Sequence, residues 1–410
     1  MFFREIRGQY YGLGSLLCDK GTDLFPENLT FTDDFFEVID QLNIRPLIQC
    51  KFIGDEYRCS AVFTPIILDE GVCYTFNMMN RDEIFKENVV HFSNYHKNEN
   101  KSEWHIDRGY SKDSTLNAYP LRALLSGADN SIQVTFMHFQ SDTDYICVED
   151  VLGYSVLLHS PDTIPQLKKQ YFQVPFDTVV IAAVQPIMMT TSEQVKKYDP
   201  FDRECYFADE RWLKFFKIYT PGNCRLECIT NYTLKQCGCV NFYMPRDNST
   251  VICGNGNWNC MKNAERKLKL IQLKNHLSYT DEEEDDIDLA DYCDCMPLCT
   301  ELSYSIEQSQ TEWKWNEQLV ADRMVEDNKL QKEVFHFSKL SVFFKLDQFL
   351  TSQRNELYGP TDFLANFGGL LGLFTGFSLL SLMEIIYFLT LRIFCNRRQY
   401  RVWAGNVDKN

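Results

Sequence analysis

Ten of the sixteen cysteines fall between Cys205 and Cys299, a density at which the thiols either oxidise or bind metal. The CGC (237–239) and CDC (293–295) pairs could supply zinc thiolates, but C-x-C is tighter than the usual zinc-knuckle spacing. Disulfides are the stronger reading. Ten cysteines admit hundreds of pairings, and geometry narrows them. Cys224 and Cys228 lie four apart in CRLECITNYTLKQC, which reads as a helix, and share a face about 6 Å apart. Cys293 and Cys295 lie two apart in an extended stretch and share a face about 7 Å apart. The spacings match, so the two pairs can be bridged side by side. The nested set put forward is Cys205–Cys299, Cys224–Cys295, Cys228–Cys293, Cys237–Cys260 and Cys239–Cys253.

The other residue with chemistry to offer is Glu384. It is the single Asp, Glu, Lys or Arg in the 29 residues from Phe363 to Leu391 (FLANFGGLLGLFTGFSLLSLMEIIYFLTL). A helix of that length reaches about 43 Å, against a hydrocarbon core of about 30 Å. The run can therefore cross a membrane with tilt or with a break. A carboxylate at that depth costs about 2.5–3.5 kcal/mol on insertion scales and usually faces water. Gly368, Gly369, Gly372 and Gly376 remove side-chain bulk, let helices approach and weaken the helix. A break at Gly376–Ser378 would aim carbonyls and the Ser378 hydroxyl at a wet axis. Plain helix packing for the glycines, and a snorkelling Glu384, are the competing readings.

Orientation follows from charge. Arg392, Arg397, Arg398 and Arg401 come directly after the span, which predicts a cytoplasmic tail over 392–410. The tail carries five basic and one acidic side chain, +4, leaving −20 of the chain's −16 to the residues before it. That acidic balance argues against nucleic-acid binding. Fifteen cysteines precede residue 300, and only Cys395 lies beyond the span. The N-x-Ser/Thr sequons at Asn28, Asn100, Asn231 and Asn248 fall on the same N-terminal side. The expectation is an oxidised, glycosylated outer domain over 1–360, a membrane segment over 361–391, and localisation at the plasma membrane.

The N-terminus (MFFREIRGQYYGLGSLLC) is no signal peptide, because Arg4, Glu5 and Arg7 interrupt any apolar core. Translocation then depends on the C-terminal span or on a segment missing upstream; the second is the expectation.

The elements that must hold these residues read as mixed α+β. SIQVTFMHF (131–139) and TVVIAAVQPIMM (178–189) read as strands, and Asp23–Asn43 turns helical in its second half. Over 334–346, Leu340, Val342, Phe344 and Leu346 alternate with Ser341, Phe343 and Lys345, a strand period. DEEEDDID (281–288) reads as a solvated loop.

Several of these stretches resemble one family. CKFIGDEYRCSAVF (50–63), GVCYTFN (71–77), the block 205–246, DYCDCMPLC (291–299) and FLANFGGLLGLFTGFSLLSLMEIIYF (363–388) are similar to the epithelial sodium channel/degenerin/acid-sensing channel superfamily, most of all its insect pickpocket branch. The resemblance implies a disulfide-rich outer domain in a finger, thumb and palm layout. In it, 205–299 is the thumb-like region and 334–346 a palm strand. It also implies a homo- or hetero-trimer of related subunits in the lipid membrane, and the same nested bridges with Cys50–Cys59 added. Gly376, Phe377 and Ser378 occupy the place of the family's selectivity constriction, and Ala365 the place where large side chains hold such channels open. Gly368, Gly369, Gly372 and Glu384 then belong to the pore. Sodium is the expected permeant ion, amiloride the expected blocker, and an extracellular ligand or mechanical stimulus the expected trigger, with no cofactor and no structural metal.

Departures are equally specific. The family has two spans, and the first is absent here, which leaves Cys73 without its usual partner and Cys18 and Cys147 unassigned. A truncated product or partial gene model is the expectation. MKNAERKLK after Cys260 is basic where acid-sensing members place carboxylates, which argues against proton gating. The rival functions are a single-pass receptor or adhesion protein, a non-conducting truncated subunit, and an ectoenzyme. The last has no G-x-S-x-G, H-E-x-x-H or phosphate loop, and His159 and His336 read as structural.

Overall fold

Runs rich in β-branched and aromatic residues become the strands that carry the first unit. The computed structural model describes residues 35–43, 45–115, 117–143, 145, 152–277, 293–322 and 334–400. Asn28, Cys18, Cys147, the acidic run 281–288 and the tail from Arg401 lie outside them. Two compact units emerge, Met1–Thr191 with Tyr198–Gln353, and Ser192–Lys197 with Arg354–Asn410.

In the first unit, strands β1 (Leu47–Phe52), β2 (Asp55–Tyr57), β3 (Phe63–Leu68) and β4 (Gly71–Phe76) follow helix α1 (Phe35–Leu42). Then come β5 (Trp104–His105), β6 (Gly109–Tyr110), β7 (Ile132–Phe139), β8 (Gly153–Val156), β9 (Phe172–Pro175) and β10 (Thr178–Thr191). Helices α2 (Pro221–Cys237) and α3 (Trp258–Leu277) separate these from β11 (Glu301–Glu312) and β12 (Phe335–Phe344).

The main sheet runs β11-β10-β12-β7-β1-β2, with β10 and β12 parallel and the other neighbours antiparallel. Register places Val134 opposite Leu340 and Leu340 opposite Val180, so one buried row crosses three strands. Each such side chain contributes about 1.5–3 kcal/mol by leaving water. The alternation expected over 334–346 is narrower in the fold. β12 ends at Phe344 because its pairing with β7 stops at Val342 and with β10 at Phe344. Leu346 beyond it is exposed.

Local chemistry fixes α2. The Thr220 hydroxyl accepts the Asn223 N–H at 3.1 Å, and Pro221 takes the first turn, where its missing N–H costs nothing. Gly238 closes the helix in a left-handed conformation, its N–H on Leu234 O at 2.9 Å. The buried Glu227 carboxylate accepts the Lys214 and Phe215 N–H groups, each at 2.8 Å, and so pins the preceding loop to the helix. In α3, frequent basic residues mask the apolar stripe in the sequence. Met261, Ala264, Leu268 and Ile271 nevertheless recur at helical spacing, and all are buried. Ala264, Leu268 and Ile271 pack with Tyr232 and Cys293.

Among the described residues six disulfides join Cys50–Cys59, Cys205–Cys299, Cys224–Cys295, Cys228–Cys293, Cys237–Cys260 and Cys239–Cys253. These are the pairs that spacing and resemblance put forward. The sulfurs of CGC and CDC are thus bonded to carbon-borne sulfur and have no thiolate to give a metal. Cys73 is a free thiol beside a cavity of about 600 Å³, whose wall includes Phe76, Val134, Leu340 and Phe344. Burial, then the nearby Asp69 and Glu70 carboxylates, push its pKa up to about 12.

Two outcomes follow. Opening Cys205–Cys299, whose partners lie 94 apart, by paired Cys→Ala substitution should cost about 4–5 kcal/mol. Opening Cys239–Cys253, 14 apart, should cost about 3 kcal/mol. Urea unfolding of the detergent-solubilised chain measures both, and equal losses would contradict the loop-length argument. Separately, iodoacetamide should label native Cys73 on the order of a thousandfold more slowly than an unperturbed thiol, since so little thiolate exists below its raised pKa. Mass spectrometry across pH 6 to 9 would read it, and rapid native labelling would refute it.

Candidate pore segment

The second unit contains the apolar run. Helix α4 (Pro360–Thr375) opens with Pro360, and the Asp362 carboxylate accepts the Gly359 N–H at 3.2 Å. It ends where Gly376 turns left-handed at φ +65° and donates its N–H to Gly372 O at 3.0 Å. Glycine reaches that conformation without a Cβ clash. Phe377 follows, then Ser378, whose hydroxyl oxygen accepts the Ser381 N–H at 3.2 Å and caps helix α5 (Leu379–Ile386).

Three residues therefore stand outside both helices, the same three singled out as Gly376, Phe377 and Ser378. The last carbonyls of α4 and the first amides of α5 converge there, where a helix end leaves such groups without helical partners. The Thr375 hydroxyl is already engaged, donating to Leu371 O at 2.6 Å.

The expected segment 361–391 is divided at this break. The described helix long and apolar enough to cross a membrane is Leu379–Gln399, 21 residues at mean hydropathy 1.6, which continues past Leu391 into Arg392, Arg397 and Arg398. It comprises α5, a π-helical turn at Tyr387–Leu391, and α6 (Arg392–Tyr400). Nothing in the residue spacing announces the π-turn.

The remaining candidates sort by face. Ala365, Gly368, Gly369 and Gly372 recur at i, i+3, i+4 and i+7, so one side of α4 is a strip of small residues that ends at the Gly376 turn. A Cβ added at Gly368 or Gly369 would meet nothing within 4 Å, and at Gly372 only Phe377 O at 3.6 Å. No packing among the described residues requires those glycines. Glu384 lies on α5, six residues past Ser378 and so about 9 Å further along the axis. No residue of α4 or α5 is buried, and Leu373 (80%) and Leu379 (77%) stand almost bare. Helices apolar all round need lipid or other copies as surroundings.

Elsewhere, three sequons lie among the described residues. Asn100, Asn231 (on α2) and Asn248 are all exposed, with room for a glycan. His159 is half-buried, its pKa lowered by desolvation, with Nδ1 on Ser160 O at 2.8 Å and Nε2 on the Thr75 hydroxyl at 3.0 Å. His336 Nδ1 pairs with Asp177 Oδ2 at 2.7 Å. Both hold backbone segments together, and among the described residues no three His, Cys, Asp or Glu side chains converge to hold a metal.

Similarity to known proteins covers almost the whole chain. It is 27% identical over 404 residues to pickpocket protein 28 of Drosophila melanogaster, covering 94% of this chain and 63% of that protein. Sodium channel protein Nach of the same fly is 24% identical over 383 residues, covering 92% and 63%. Acid-sensing ion channel 1C of Danio rerio is 24% identical over 379 residues, covering 89% and 58%. The chain thus spans less than two thirds of the length of these relatives. The amiloride-sensitive sodium channel family model matches residues 15–388, which takes in the cysteine ladder, the glycine strip, the Gly376–Ser378 break and Glu384. The chain belongs to the amiloride-sensitive sodium channel family.

Proposed function

We propose that this chain is a pore-forming subunit of an amiloride-blocked, sodium-conducting channel of the plasma membrane, opened by an extracellular ligand or mechanical stimulus. The observation that carries the reading is the three-residue break in an otherwise bare apolar run. Non-helical backbone at membrane depth is tolerated only against protein or water. Three copies, the same chain or related subunits, set the breaks around a common axis. Carbonyls near Gly376 and the Ser378 hydroxyl then replace part of the hydration shell of a sodium ion. Glu384, deeper on the same helix, raises cation concentration in the path. The glycine strip lets the α4 helices of neighbouring copies approach closely. The disulfide-laddered unit is the outer, glycosylated domain with the finger, thumb and palm layout, and the arginines after the span face the cytoplasm.

Three measurements test this. In a two-span version of the chain in heterologous cells, Ala365→Val should give standing sodium current that amiloride abolishes. Protein present at the surface without such current would count heavily against conduction. Gly376→Leu and Glu384→Leu should each lower that current by on the order of tenfold or more, since they forbid the left-handed turn and remove the charge. A single-pass receptor would tolerate both. Finally, Asn100→Gln, Asn231→Gln and Asn248→Gln should each remove one endoglycosidase-sensitive step on a gel; unchanged mobility in all three would invert the topology.

A further inference from the structure

The π-turn decides which way Arg392 faces. In an unbroken α-helix the eight residues from Glu384 to Arg392 turn through eight steps of about 100°, leaving Arg392 about 80° away from the Glu384 face. The π-turn at Tyr387–Leu391 takes one extra residue into a single turn, marked by the Arg392 N–H donating to Tyr387 O. That returns about 100° and brings Arg392 to within about 20° of Glu384. The Thr390 hydroxyl donates to Ile386 O, the carbonyl that the Thr390 N–H would take in an α-helix, and so supports the wider turn. Between the two charges stands Phe388, and the Arg392 guanidinium lies over its ring at 4.9 Å. Glu384, Phe388 and Arg392 thus form one straight column, with the carboxylate about 11 Å nearer the break than the guanidinium.

We propose that Arg392 is a specificity-determining residue of the conduction path, a cationic ring beneath the Glu384 ring that disfavours cation entry from the cytoplasmic side. The proposal rests on the channel reading above. Glu384 draws cations in from the outer side, and Arg392 opposes their approach from within, so inward current exceeds outward current. A guanidinium serving only to anchor the helix at lipid headgroups would sit on any face, with no effect on rectification.

The register is tested without current. In a Cys395→Ser background, single cysteines are placed at positions 384, 388, 391 and 392 of the full chain in membranes, and copies are cross-linked by oxidation. The column predicts cross-linking at 384, 388 and 392 and little at 391; efficient cross-linking at 391 with little at 392 is the α-helical pattern and overturns the proposal. The charge is then tested in conducting channels under symmetrical sodium. Arg392→Gln should raise the outward-to-inward conductance ratio roughly threefold through loss of the local repulsion, and Arg392→Lys should restore it. Deleting Leu389 replaces the π-turn by an α-turn and keeps Arg392 on the Glu384 face, so rectification should persist. Deleting Leu389 and Thr390 together turns Arg392 about 120° away and should abolish it. Rectification unchanged in Arg392→Gln overturns the role. Cross-links at 384, 388 and 392 without current from any variant would overturn the channel reading while leaving the column standing.

Discussion

Hydrocarbon offers nothing for a backbone amide or carbonyl to bond, so a helix that stops inside a membrane must find other partners for its ends. That constraint organises the second unit. Gly376 can stop α4 because it lacks a Cβ, and Ser378 can restart the chain because its hydroxyl caps the first turn of α5. Between the two caps the backbone is left with polar groups to spare. In the proposed channel, water and ions in a shared axis accommodate them. The bare apolar flanks suit lipid, and in the proposed assembly the small-residue strip on α4 suits close approach by neighbouring copies.

The first unit meets a different difficulty, the ordering of long connections. Its connections also carry core residues, among them Met78, Met79, Tyr206, Phe215, Phe216 and Tyr219. The ladder from Cys205–Cys299 to Cys239–Cys253 ties α2 and the start of α3 to the CDC stretch. The buried Glu227 carboxylate holds the loop before α2 through two backbone amides, an arrangement that only a correctly placed helix can supply. Apolar packing completes the work where elements meet, as in the Val134, Leu340 and Val180 row.

Function in such a chain is carried by backbone geometry more than by reactive side chains. His159 and His336 serve as structural hydrogen-bonding groups, and the cysteines of the ladder are consumed in cross-links. What remains chemically distinctive is a carboxylate and a guanidinium on one helix face, with a glycine–serine break above them. Conduction asks for little more than correctly spaced oxygen atoms and fixed charges.

Much of this was legible in the residues themselves. The apolar run, its glycines, the lone carboxylate and the arginines after it follow from composition along the chain. The capped start and stop of α2 follow from Thr220, Pro221 and Gly238. Cysteine spacing narrowed the pairing, although the CDC stretch belongs to no strand and turns through a Cys295 N–H to Cys293 O bond at 2.9 Å. Other features needed the folded chain. Which strands neighbour one another depends on contacts between residues far apart, so the parallel pairing of β10 with β12 has no local signature. The end of β12 at Phe344 was set by where its partners stop, although the alternation in its sequence runs further. The π-turn depends on a balance of hydrogen bonds within a single turn, to which apolar periodicity is blind. It alone decided that Arg392 shares a face with Glu384, because one extra residue in a turn rotates everything after it by about 100°.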